Sequence, residues 1–286
     1  MNKLVIGTVQ FGLDYGINNF RGKVPENEVF EILDYASQNN INFLDTSHAY
    51  GDSESILGEY IEKNRGNFKI ISKLPKHDLI NSFKVFSDSL SKLKVDKIYG
   101  YLIHHFDFFI EKPQIWEDLK QIKVEGKVEK IGFSLYYPHE LDYLLEKNID
   151  FDIIQIPYNI FDQRFSPHFI NLKRKNIEIH TRSVFLQGLV FIPARKLPEK
   201  FLKIKSKLEN LNRLSNMLNT SIASLCLNFS ILNPLIDKII IGIDCKEHLN
   251  EIINTMKETD NIKSIYHNLE ILKENDENII LPTNWK

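Results

Sequence analysis

Short apolar runs rich in β-branched residues recur along the chain at LVIGT (4–8), INFLD (41–45), FKIISK (68–73), KIYGYLIHH (97–105), KIGFS (130–134), FDIIQIPY (151–158), IEIHTRS (177–183) and KIIIGI (238–243). Several are apolar almost without interruption, the pattern of strands buried on both faces of a parallel sheet. Between them lie segments with helical spacing. ENEVFEILDYASQNN (26–40) sets Val29, Ile32, Leu33 and Ala36 on one stripe, and PHELDYLLEKN (138–148) behaves likewise. Eight such units in 286 residues, with no linker rich in Pro, Gly or Ser, predict an α/β fold in which one domain, residues 1–286, closes as a (β/α)8 TIM barrel. A doubly wound sheet is the second reading. Against it, GTVQFG after the first strand lacks the second glycine of G-x-G-x-x-G, which lets backbone approach a pyrophosphate. The interval 184–237 is longer than the others and predicts an extra helix besides SIASLCLNFSIL (221–232).

A barrel collects its chemistry where the strands end. There the runs turn polar: Asp45 ends the second, Lys73 the third, His104 or His105 the fourth and Ser134 the fifth. Gln155 lies late in the sixth, and Arg182 and Ser183 end the seventh. Tyr50 follows Asp45 within reach of a loop folding back over the mouth. Taken singly, a Lys after a strand is usually a solvated end and an Asp before Thr-Ser a helix cap. Asp, Tyr, Lys and His arriving together from successive units point to proton delivery. A free phenol, with a pKa of about 10, holds its proton too tightly to give it readily to a carbonyl oxygen. An ammonium beside it is expected to lower that value. Lys73, held by Asp45, would then tune Tyr50 as the acid while a neutral His104 orients the carbonyl. Protonating the oxygen has a purpose only if something adds to the carbon, and a hydride from a bound nicotinamide is the natural partner.

Two other chemistries fit some of these residues. His104, His105 and Asp107 form an HHxD run, but adjacent strand residues point to opposite faces and do not share one ion without distortion. Lys73 could form a Schiff base in a lyase, although an Asp45 partner would keep it protonated and disfavour attack.

Composition narrows the partners. Apolar residues make up 43% and charged residues 26%, which suits a globular chain with a large core. The 36 basic residues are balanced by 38 acidic ones, so no overall field gathers nucleic acid or an acidic membrane surface. Cys226 and Cys245 stand apart in apolar surroundings, as buried thiols in a reducing compartment would. No apolar run approaches the length of a signal-peptide core or a membrane span. A cytoplasmic protein acting on a small molecule is expected.

FLDTSHAYG (43–51), IISKLP, and YLIHHFD, in this order, resemble the aspartate and tyrosine, lysine and histidine segments of the aldo-keto reductase superfamily, and the resemblance covers essentially the whole chain. It implies a (β/α)8 barrel with NADP, or else NAD, lying extended across the mouth. It also implies reduction of an aldehyde or ketone to an alcohol, with Asp45, Tyr50, Lys73 and His104 as the catalytic set. Gly7, Thr8 and Val9 resemble the segment beside the nicotinamide, Ser134 and Gln155 its carboxamide partners, and Ser183 a pyrophosphate contact. Leu135 stands where an asparagine is expected, and Arg182 where many members place an aromatic that stacks on the nicotinamide. IIIGIDCKEHLNEI resembles the adenosine end, where the positions that often grip a 2′-phosphate read Gly242 and His248 and leave Lys246 as the nearby cation. Many members open with a small hairpin under the barrel, whereas this chain reaches its first strand by Leu4, so other side chains are expected to close the bottom. Phe106, Phe108, Phe109 and Phe161 are candidates to line a substrate pocket shaped by 106–116 and 185–201. Relatives tied to surface sugar synthesis make a sugar or sugar-derived carbonyl a candidate substrate. The superfamily also contains cofactor-binding regulatory subunits without turnover, which gives a non-enzyme alternative.

Overall fold

Eight strands carry the apolar runs: β1 Leu4–Gly7, β2 Phe43–Asp45, β3 Lys69–Leu74, β4 Ile98–Ile103, β5 Val128–Ser134, β6 Ile153–Pro157, β7 Glu178–Arg182 and β8 Lys238–Gly242. Each pairs in parallel with the next, and β8 returns to β1 with Gly7 opposite Gly242, so the sheet closes as a barrel. The computed structural model describes residues 2–17, 19–64, 67–76 and 81–285. Several runs extend past their strands: Thr8, His104, Tyr158, Ser183 and Ile243 follow the ladders, and the N–H groups of Thr8, His104 and Tyr158 still bond to neighbouring strands. Ser183 makes its turn with a left-handed φ of 65°.

The helices pack outside as the spacing predicts. Glu26–Gln38 buries Val29, Ile32, Leu33 and Ala36. Pro138–Glu146 begins on a proline, whose missing N–H costs nothing in a first turn, and Glu140 accepts from the N–H groups of Tyr136 and Tyr137 at 2.8 and 3.0 Å. The long interval holds the extra helix, Lys205–Leu218, followed by Ile222–Leu232, where Ser221 Oγ accepts from the Ser224 N–H at 3.0 Å. The second of these buries Leu225, Cys226, Leu227 and Phe229, which explains its nearly unbroken apolar character. Both cysteines are free and buried, and burial pushes both thiols up, so neither is poised as a thiolate. Among the described residues no helix is long and apolar enough to cross a membrane.

Side chains close the bottom of the barrel. Phe43 and Tyr99 meet edge to face there, and the ammonium groups of Lys69 and Lys238 lie over their rings, Lys238 at 3.8 Å from the Phe43 centroid. Glu178, at the first position of β7, gathers the charge: it accepts from Lys130 Nζ at 2.5 Å and Tyr99 Oη at 2.8 Å, and lies 3.1 Å from His180 Nε2. Burial alone would raise its carboxyl, but these partners hold it at about 2. A carboxyl depressed by folding stabilises the native state above its unfolded value and loses that contribution as pH falls toward the folded one. Glu178→Gln is therefore expected to lower the melting temperature at pH 7 and to lose most of that deficit by about pH 3. Calorimetric melts of both proteins at the two pH values check this; a deficit independent of pH would contradict it.

Candidate active site

The period of two along each strand sets the site above an apolar floor. Val5, Phe43, Ile71, Leu102, Ile153 and Ile240 form one interior cluster. The residues two positions further on are Gly7, Asp45, Lys73, His104, Gln155 and Gly242, which therefore face inward one layer nearer the mouth. Side chains expected at the strand ends thus converge on one interior face.

Lys73 and Asp45 form its centre, 1% and 3% exposed. Lys73 Nζ donates to Asp45 Oδ1 at 2.5 Å, to the Thr46 carbonyl at 2.9 Å and to Tyr50 Oη at 3.4 Å, so each of its three protons has an acceptor. The other Asp45 oxygen accepts from Gln155 Nε2 at 2.6 Å. That bond turns the amide of Gln155 toward the ion pair, a role its resemblance to a carboxamide-binding glutamine does not suggest. Tyr50 is placed by its loop. Gly12 approaches so closely that a Cβ there would lie 1.8 Å from the Tyr50 carbonyl oxygen, and Gly51, at φ 57°, would press a Cβ to 2.4 Å from the Gly12 oxygen. Ser53 Oγ donates to Thr8 Oγ1 at 2.8 Å and ties the loop to the end of β1.

His104 stands edge-on to Tyr50, ring centroids 5.8 Å apart, and stacks on His105. Ser47 Oγ lies 3.1 Å from its Nδ1, which leaves Nε2 as the nitrogen for the cavity. Burial and then the Lys73 charge hold its pKa well below the ordinary value, so the imidazole is neutral, as expected. The phenol departs from expectation. Burial, then the Asp45 carboxylate, push Tyr50 well above its ordinary value, and Arg182 pulls it down only in part. Lys73 itself lies below its ordinary value because burial penalises its charge, with Asp45 opposing. Tyr50 is accordingly a phenol that keeps its proton, not one made acidic in advance.

A support that the sequence reading missed lies behind this set. Glu54, 1% exposed, accepts from Ser72 Oγ at 2.6 Å, next to Lys73, and sits 3.3 Å from His48 Nδ1, two residues before Tyr50. It joins the Lys73 strand to the Tyr50 loop. Burial would raise its carboxyl, but His48, Ser72 and Ser89 hold it below the ordinary value.

A barrel with this arrangement at its mouth matches known proteins along its length: residues 3–267 fit the Aldo/keto reductase family. The chain belongs to that family. Among relatives, an oxidoreductase of Bacillus subtilis (strain 168), YqkF, is 25% identical over 66% of this chain and 67% of its own. L-galactose dehydrogenase of Arabidopsis thaliana is 22% identical over 91% of this chain and 87% of its own. Other relatives are matched over less than half their length, 45% and 40%. The aldo-keto reductase AKR11C1 from Bacillus halodurans, solved in its holo form, superposes with a TM-score of 0.72 at 19% identity, covering 92% of this chain and 91% of that one.

Tyr50, His104, Asp45 and Gln155 line a cavity of about 580 Å³ at the mouth. Gly7, Thr8, Val9, Ser134, Arg182 and Ser183 line it too, and Gly242 and His248 lie toward its far end. Arg182 stacks on the Tyr136 ring at 4.1 Å and donates to the Leu135 carbonyl at 3.0 Å. Leu135, where an asparagine was expected, is buried in the core, so only its main chain reaches this cluster. Lys246 is not brought to the cavity: it opens the helix Lys246–Thr255, and its ammonium lies over the ring of Tyr35 on the helix Glu26–Gln38, 5.6 Å from the centroid. Asp107, of the HHxD run, pairs instead with Lys76 at 2.9 Å. Asp244, Cys245 and His248 bring their ligand-type atoms within 4.8 Å of one another, a cluster the sequence reading did not single out.

The expected substrate aromatics lie elsewhere. Phe108, Phe109 and Phe161 are buried in the core, and Phe106 packs against Tyr143, because 106–116 folds into the helix Phe106–Glu111 and the start of the helix Gln114–Val124. The cavity is lined instead by Tyr15, Asn19, Tyr136, Phe185, Gln187 and Phe191, with Gln187 Nε2 donating to Tyr15 Oη at 2.7 Å. The 185–201 segment does cross the mouth, bent there by left-handed Leu186, Gln187 and Gly188. Gly12→Ala is expected to cost about 1–3 kcal/mol or more through overpacking against the Tyr50 carbonyl. Urea unfolding measures it; an unchanged midpoint would show that the loop yields freely.

Proposed function

We propose that the protein reduces an aldehyde or ketone to an alcohol with a nicotinamide dinucleotide, Tyr50 serving as the general acid. The observation that carries this reading is the buried Lys73 ammonium, held by Asp45 and Thr46 and directed at Tyr50, behind a cavity that Asp45, Tyr50 and His104 line. The residues suit the dinucleotide. Gln10 Oε1 is buried in the cavity wall without a partner among the described residues, and Gly242 leaves space that a Cβ would take from the Gln10 amide, 2.6 Å away. Gly7, Thr8, Val9, Ser134, Gln155, Ser183 and Gly242 would hold it along the mouth, with Arg182 as a flat cationic neighbour. When bound, the nicotinamide supplies the hydride.

The chain's own part is the proton. Tyr50 keeps its proton at neutral pH, and the substrate oxygen becomes basic enough to take it only as the carbon is reduced. Neutral His104 donates from Nε2 and fixes the carbonyl beside the phenol. Lys73, with all three protons engaged, is a poor nucleophile, which favours proton delivery over a Schiff-base lyase. The polar groups Tyr15, Asn19 and Gln187 on the substrate side, together with the similarity to L-galactose dehydrogenase, favour a sugar-derived carbonyl. The choice between NADP and NAD lies at the adenosine end, around Asp244 and Glu251.

Tyr50→Phe is expected to lower the single-turnover rate by about 10² or more while dinucleotide affinity is retained. Near wild-type turnover in stopped-flow assays would remove Tyr50 from the acid role. Because the His104 pKa lies well below 6.5, its protonation should leave no inflection in kcat/KM between pH 6 and 8. A break in that window that disappears in His104→Gln would show a titrating imidazole instead.

A further inference from the structure

We propose that the far end of the cavity selects a dinucleotide whose adenosine ribose carries a free 2′-hydroxyl, NAD(H), over its 2′-phosphorylated counterpart, with Asp244 as the discriminating side chain. The inference rests on the reading of the cavity as a dinucleotide site. Beyond Gly242 the wall carries the carboxylates of Asp244 and Glu251, and its basic side chain, His248, contacts Asp244 through Nδ1. Two nearby cations already have partners of their own. Lys246 lies over Tyr35, outside the cavity. Arg21 pairs with Glu28 at 2.6 Å, and its other terminal nitrogen donates to the Asp244 main-chain carbonyl at 3.0 Å. That second bond pins the Asp244 backbone, while His248 pins its side chain, so the carboxylate is fixed before any ligand arrives.

The helix that begins at Lys246 would by itself favour an anion through its dipole. Its first turn already holds a third acid, Glu247, whose carboxyl its own backbone N–H keeps below the ordinary value. A ribose phosphate carries nearly two negative charges at pH 7 and is best held by a bidentate guanidinium. Here it would meet Asp244 and Glu251, and like charges across a contact strongly disfavour a partner. A ribose hydroxyl instead donates to a carboxylate, the pairing by which acidic side chains recognise NAD.

Isothermal titration of the purified protein with NADH and with NADPH, no carbonyl present, reads the preference without turnover. NADH is expected to bind more tightly by about tenfold or more. Asp244→Asn and, separately, Glu251→Gln should each narrow the ratio, and Asp244→Arg should reverse it. Equal or tighter binding of NADPH by the wild-type protein would overturn the assignment and leave the dinucleotide site standing. An unchanged ratio in both neutral variants, each with native circular dichroism, would overturn it as well. Binding of neither dinucleotide would overturn the assignment together with the reading it rests on.

Discussion

The site depends on one buried ion pair. Taking Lys73 and Asp45 out of water costs several kcal/mol per charge, which their attraction offsets only if the remaining protons and lone pairs are also satisfied. Here they are: Thr46 and Tyr50 take the other two ammonium protons, and Gln155 donates to the second carboxylate oxygen. The pair thereby fixes three strands, β2, β3 and β6, relative to the Tyr50 loop. Removing one partner would leave the other charged and buried, so the arrangement is sensitive to single changes in a way that a surface salt bridge is not.

The barrel separates stability from chemistry along its axis. The lower layer is apolar, capped beneath by cations over Phe43 and Tyr99 and by the Glu178 network. The layer above holds the ionisable groups. An apolar floor beneath the ion pair lowers the local dielectric around it, and burial together with the Lys73 charge holds His104 uncharged. Glu54 extends the same logic outward, since its bond to Ser72 and its contact with His48 brace the strand and loop that carry the reacting groups.

Much of this was legible in the sequence because it follows from period and order. Eight apolar runs fixed the number of strands, and the polar residues at or near the ends of several of them named Asp45, Lys73, His104, Gln155 and Arg182. What escaped depends on three-dimensional contacts between distant segments. Nothing local tells that Gln155 bonds Asp45, that Lys246 turns outward onto Tyr35, or that Tyr15 and Asn19 line the cavity while Phe108 and Phe161 sink into the core. The phenol's acidity was misjudged for a related reason. Motif spacing places a cation beside Tyr50 but does not reveal that burial, and then the Asp45 carboxylate, push the phenol up.

The account holds that a protonated Tyr50 and a neutral His104 together receive one carbonyl oxygen above the ion pair. A crystal structure of the protein with a nicotinamide dinucleotide and a slowly reacting aldehyde measures this directly. The carbonyl oxygen is predicted within about 3.2 Å of both Tyr50 Oη and His104 Nε2. An aldehyde bound in the same cavity with its oxygen turned away from both groups would contradict it.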